Sequence, residues 1–150
     1  FVQARTTGKW IEDIGRNGRI IARADIGATR VDDFRELPPS IRFFAGGDRS
    51  VRGYDFNTLG PTDASGDVVG GRHLLVTSLE YEHVVYGNWS AAVFYDAGNA
   101  LDDFNDPLKE GAGFGIRWKS PIGQVRVDVA TALSDPDRPW RLHLNVGPDL

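Results

Sequence analysis

The chain contains no cysteine and no methionine. Without cysteine it has neither a disulfide framework nor a thiolate zinc site. The lack of methionine extends to the first residue, Phe1, which suggests the closing part of a longer protein with further sequence upstream. Net positive charge is lacking too. The formal charge is −4, which speaks against a nucleic-acid partner, because phosphate backbones select basic surfaces. No apolar run approaches the ~20 residues of a membrane helix. A mean hydropathy of −0.31 is ordinary for a water-soluble protein, but a membrane β-barrel has such values as well, since only alternate residues of its strands face lipid.

What the sequence does have is period two. In residues 19–31, Ile20, Ala22, Ala24, Ile26 and Ala28 share one face, against Arg23, Asp25, Gly27 and Thr29. In 110–119, Ala112, Phe114, Ile116 and Trp118 oppose Gly111, Gly113, Gly115, Arg117 and Lys119. In 124–133, Val125, Val127, Val129 and Thr131 oppose Arg126 and Asp128, and in 140–147 Trp140, Leu142, Leu144 and Val146 oppose Arg141, His143 and Asn145. Alternation of this kind marks half-buried strands. Residues 71–86 and 88–100 are strand-like with a weaker pattern, and 1–14 is a first strand with a poor one. Seven strands and no long helix pattern predict an all-β antiparallel meander.

The connections alternate as well. Tight turns at 15–18, 86–88 and 120–123 are separated by longer polar loops at 32–70, 101–109 and 134–139. Short turns at one end and long loops at the other is the habit of outer-membrane barrels. Long strands support that reading, as do aromatic residues near strand ends (Trp10, Tyr86, Trp89, Trp118, Trp140) where interface girdles sit. Repeated Arg–Asp combinations on the polar faces, Arg23 with Asp25 and Arg126 with Asp128, read as pairs in a crowded wet lumen. An odd strand number again points to a fragment, because bacterial single-chain barrels have even counts.

Most motifs of chemical interest dissolve on inspection. "GAGFGI" (111–116) has glycines at strand spacing, not the G-x-G-x-x-G of a dinucleotide loop. It leaves a smooth strip, Gly111, Gly113 and Gly115, where another backbone can approach. "AGGDRS" (45–50) lacks the G-K-[ST] of a phosphate loop. His73, His83 and His143 are scattered over three strands and read as ordinary wall residues. Asp102, Asp103 and Asp106 lack calcium-loop spacing. Ser50 and Ser78 have no evident His–Asp partners, so the sequence offers no nucleophilic enzyme.

One constellation remains. Arg52 lies in the irregular stretch "AGGDRSVRGYDFNTLGP" (45–61), inside Val51-Arg52-Gly53-Tyr54. Glu80 and Asp96 stand in otherwise apolar strands, and alternation turns both to the polar face. Adjacent strands lie about 4.7–4.9 Å apart, so two such carboxylates are spaced to hold one guanidinium in a fork.

These residues resemble a known family. "RFFAGGDRSVRGYDFNTLGP", "GGRHLLVTSLEYEH", "AVFYDAGNA", "GAGFGIRWKSPIGQVRVDVATAL" and the closing "LNVGPDL" are similar, in that order, to the C-terminal half of the barrel of the BamA/TamA outer-membrane assembly superfamily. "FYDAGNA" and "GPDL" look most like the TamA type. The resemblance implies the last seven or so antiparallel strands of a 16-stranded transmembrane barrel, with a lumen-inserted loop and with further strands and POTRA repeats upstream. It implies that the Val51–Tyr54 motif meets Glu80 and Asp96 on the lumen wall, so the loop acts as an internal strut. It implies a bacterial outer-membrane location and a role in inserting barrel proteins and autotransporters through a lateral seam at the last strand (Trp140, Leu142, Leu144, Val146, Gly147). Gly147 would let that strand bend inward. The implied partners are the lipid bilayer, client outer-membrane proteins and an inner-membrane-anchored TamB-type protein; no cofactor or metal is implied. A polypeptide transport pore of the two-partner secretion type is the alternative within the same superfamily.

Overall fold

Alternation of apolar and polar residues resolves into seven strands: β1 (Val2–Ile14), β2 (Gly18–Arg30), β3 (His73–Tyr86), β4 (Trp89–Leu101), β5 (Lys109–Ser120), β6 (Gly123–Ala132) and β7 (Trp140–Gly147). This computed structural model describes residues 1–147. The strands form a single antiparallel sheet in chain order, β1 to β7, each joined to the next as a meander. The registers run unbroken except for one irregularity between Val84 and Tyr86. Tight turns close β1–β2, β3–β4 and β5–β6 at one end, and Gly87 supplies the positive φ (54°) that the second of these requires. The 31–72 connection, at the opposite end, contains two 3-10 turns, Phe34–Glu36 and Pro39–Ile41.

The sheet is inside-out. Leu79, Val93, Phe114, Leu142, Leu144 and Val146 are more than half exposed, and Trp10 and Trp140 lie open at opposite ends of the strands. Trp89 and Trp118 stack at the turn end, ring centroids 5.9 Å apart. On the concave face, Glu80, Glu82, Asp96, Arg117, Gln124 and Asp128 are buried. A water-soluble sheet hides its apolar face; this one presents it, as a lipid-facing wall does.

The long loop packs against the concave side. Phe43, Ala45, Val51, Tyr54 and Leu59 pack with Leu74, Val76, Ala100 and Ala132 of the wall into one apolar cluster. Isolated β-bridges, Phe43 with Gly71 and Ala45 with Leu59, pair part of the loop's backbone, as any segment withdrawn from water must arrange. The loop is thus a folded segment that shares one apolar core with the wall.

Candidate functional site

Val51 opens the Val51–Tyr54 motif by burying its side chain completely in the cluster beneath the loop, which aims the next residue at the wall. The Arg52 backbone N–H and Nε donate to Asp96 Oδ2 at 3.0 and 2.7 Å, and one terminal nitrogen donates to Asp96 Oδ1 at 2.9 Å. The other terminal nitrogen donates to Glu80 Oε2 at 2.8 Å. The guanidinium carbon lies 3.4 Å from the centroid of the Phe94 ring, and a planar cation stacks well on such a face. Ser78 Oγ completes the Asp96 shell, donating to Oδ1 at 2.6 Å.

The fork belongs to a larger network. Asp128 on β6 stands 3.4 Å from Arg52 and accepts from Arg117 at 2.6 Å. Arg117 also donates to Glu80 Oε1 at 3.0 Å, and Arg126 reaches the same oxygen at 2.9 Å. Three guanidiniums (Arg52, Arg117, Arg126) therefore balance three carboxylates (Glu80, Asp96, Asp128) inside the wall. Each buried charge costs several kcal/mol of desolvation, and dense pairing with charge-assisted hydrogen bonds offsets that cost. Burial works against the charge of Arg52, but the hydrogen bonds from it to Asp96 and the charges of Asp96, Glu80 and Asp128 outweigh burial and hold it protonated, above its ordinary range.

Gly53 and Tyr54 lock the loop to other strands. Gly53 has φ +100°, and a Cβ there would come within 2.7 Å of the Thr131 carbonyl oxygen. Only glycine meets both demands at once. The Tyr54 hydroxyl donates to the Glu110 carbonyl at 2.8 Å and accepts from the Ser134 N–H at 3.3 Å. The smooth strip divides its work. A Cβ on Gly111 would fall on the Arg52 carbonyl oxygen, so the loop backbone meets the wall there. Gly113 makes room for the Phe94 ring on which Arg52 rests, and Gly115 for the Asp128 carboxylate.

Two expectations are corrected. Arg23 does not pair with Asp25, nor Arg126 with Asp128. Residues two apart on a strand point the same way, side by side along it, so their partners come from neighbouring strands or the loop. Asp25 takes Arg5 at 2.5 Å, while Arg23 donates to the Ser50 carbonyl at 2.9 Å. His143 is also more than a wall residue: its Nε2 accepts from the Gly53 N–H at 2.9 Å, and its Nδ1 bonds to Asp48. This histidine–aspartate pair is not arranged as a hydrolase triad, because the nitrogen that would serve a nucleophile is occupied by Gly53. Ser50 Oγ is accepting from the Gly46 N–H instead.

Arg117, Arg126, Asp128 and His143 were on the polar face in the sequence pattern, but nothing in one-dimensional spacing ranked them as members of the site. On β7, Trp140, Leu142, Leu144 and Val146 face outward, and Gly147 pairs with Gln124. The last three residues of "LNVGPDL" lie outside the described residues. Among the described residues no three His, Asp or Glu side chains are grouped to hold a metal.

Comparison with known proteins gives the family. The Omp85 superfamily domain matches residues 1–149. The outer membrane protein assembly factor BamA of Nitratidesulfovibrio vulgaris is 36% identical over 108 residues, covering 67% of this chain and 14% of that protein. BamA of Neorickettsia risticii is 32% identical over 105 residues, covering 61% and 14%. The chloroplastic outer envelope protein 80 of Arabidopsis thaliana is 31% identical over 124 residues, covering 75% and 15%. The chain thus spans about one seventh of the length of these relatives. The crystal structure of BamA from Haemophilus ducreyi lacking POTRA domains 1–3 superposes with a TM-score of 0.74 at 19% identity, covering 96% of this chain and 33% of that one. An inside-out antiparallel wall, in a chain matched along nearly its whole length, places this protein in the bacterial outer membrane as a member of the Omp85 superfamily.

Proposed function

We propose that the whole protein to which this chain belongs assembles other β-barrel proteins into the outer membrane, and that this chain forms the closing strands of its barrel, with further strands and POTRA repeats upstream. The observation that carries the reading is the loop seated against the inner wall. The loop is held by Arg52 between Glu80 and Asp96 and packed on an apolar cluster, so passage through the lumen would require separating a buried, fully paired cation from its partners. That cost disfavours a polypeptide conduit of the two-partner secretion type. It favours action at a sheet edge, where unpaired backbone groups template an incoming strand by β-augmentation.

The edge concerned is β7, with Trp140, Leu142, Leu144 and Val146 toward lipid. Its partner is the first strand of the barrel. A weak pairing there lets the seam open, Gly147 gives the strand end freedom to bend inward, and a short strand thins the adjoining bilayer. The clients are outer-membrane barrel proteins, autotransporters among them. Two of the three relatives named above are BamA assembly factors; the wording of "FYDAGNA" and "GPDL" supports the TamA type, with a TamB-type partner in the inner membrane. The test is a disulfide joining β7 to the first strand in the full-length protein. Client assembly is expected to stop when the bond forms and to resume on reduction. Unimpaired assembly with the seam locked would overturn the proposal.

A further inference from the structure

The lumen side of β7 is polar at every second residue, and each of those three residues is bonded to the loop. Arg141 pairs with Asp55 at 2.7 Å. His143 bonds Gly53 and Asp48. Asn145 Oδ1 accepts from Arg49 at 3.3 Å. Three successive inward positions of the edge strand thus meet four loop residues, Asp48, Arg49, Gly53 and Asp55, that flank or belong to the Arg52 motif. The loop is anchored on β3 and β4 through Glu80 and Asp96 and reaches across to β7. It spans the wall from an interior strand to the edge.

We propose that the loop is a latch on the edge strand, and that His143 is the positioning residue that sets it. The proposal rests on the assembly reading above and adds to it what holds the seam strand in place. The central bond is selective. The Gly53 N–H donates to Nε2, so Nε2 carries a lone pair; the ring proton is then on Nδ1, where it donates to the acceptor-only carboxylate of Asp48. Only this neutral tautomer serves both partners. His143 is buried, so a Gly53 N–H deprived of it has little water to turn to. The two outer pairs are more exposed, with Asp55 63% and Arg141 37% exposed at the side chain, and surface pairs of that kind contribute little. The histidine therefore carries most of the hold, and whatever withdraws the loop also frees the lumen face of β7.

Amide hydrogen exchange on the full-length protein in lipid tests this with three variants. His143→Asn keeps a donor near the Nδ1 position for Asp48 and loses the acceptor for Gly53. His143→Gln keeps an acceptor near the Nε2 position. His143→Phe removes both and keeps a ring. Heat-modifiable migration on gels checks that each barrel is folded. The expected result is at least tenfold faster exchange across residues 51–55 and 140–147 in His143→Phe and His143→Asn, with His143→Gln close to the parent. Parent-like exchange in all three, or equal acceleration in all three, would overturn the latch. Client assembly is scored separately. Faster exchange with unchanged assembly would uphold the latch and count against the seam reading, so the two fail independently.

Discussion

Arg52 illustrates how much one side chain can decide when it is charged, planar and buried. Its five N–H groups match an arrangement of acceptors that no other residue type meets, and its flat face rests on Phe94. Removing it in Arg52→Ala leaves Glu80, Asp96 and Asp128 against only Arg117 and Arg126. Breaking such a buried arrangement costs about 3–5 kcal/mol. In the full-length protein the urea midpoint of unfolding, followed by heat-modifiable migration, is expected to fall accordingly. Arg52→Lys keeps the charge but loses the fork and the stacking, so its midpoint should lie between parent and Arg52→Ala. A midpoint for Arg52→Ala equal to the parent's would mean that the network does not stabilise the seated loop.

At the scale of elements, β7 is the instructive one. Its described length is eight residues, against 10 to 14 for the other strands, and its two faces live in different media. Outward Leu144 is 60% exposed to what would be lipid, while its neighbour His143 is buried against the loop. Cations on the lipid face of a barrel cost about 2–4 kcal/mol near the bilayer midplane. Leu144→Arg in the full-length protein is therefore expected to lower the unfolding midpoint in lipid by a corresponding amount, and Leu144→Ile to change it little. Equal midpoints for the two variants would show that this face of β7 does not meet hydrocarbon.

At the scale of the molecule, the seven strands leave two ladder edges, β1 and β7, with backbone groups facing outward in the plane of the sheet. Unpaired edges of this length invite pairing with another chain. The 150-residue chain, refolded alone in detergent micelles, is expected to elute as an assembly well above its 16.5 kDa, with crosslinks concentrated between β1 and β7 of different copies. A monodisperse monomer would show that the edges are covered in some other way. Edge strand β1 is exposed along all of its length, and it reaches the loop through Gln3, which donates to the Ile41 carbonyl at 2.8 Å.

The seven strands were legible along the chain, because side-chain alternation is a local property of extended backbone. The sequence placed the tight turns at one end and the long loops at the other. It marked Arg52, Glu80 and Asp96, since an arginine beside glycine in an irregular loop and carboxylates in largely apolar strands are conspicuous along a chain, and period two turns both carboxylates to the face that the loop meets. What tertiary structure alone decided was partnership. Arg126 turned to Glu80 instead of Asp128, Asp25 to Arg5, and His143 to the loop. Those choices depend on the stagger between strands and on where a 42-residue connection (31–72) lays its backbone across them. Neither quantity is local, so no spacing along one strand encodes it.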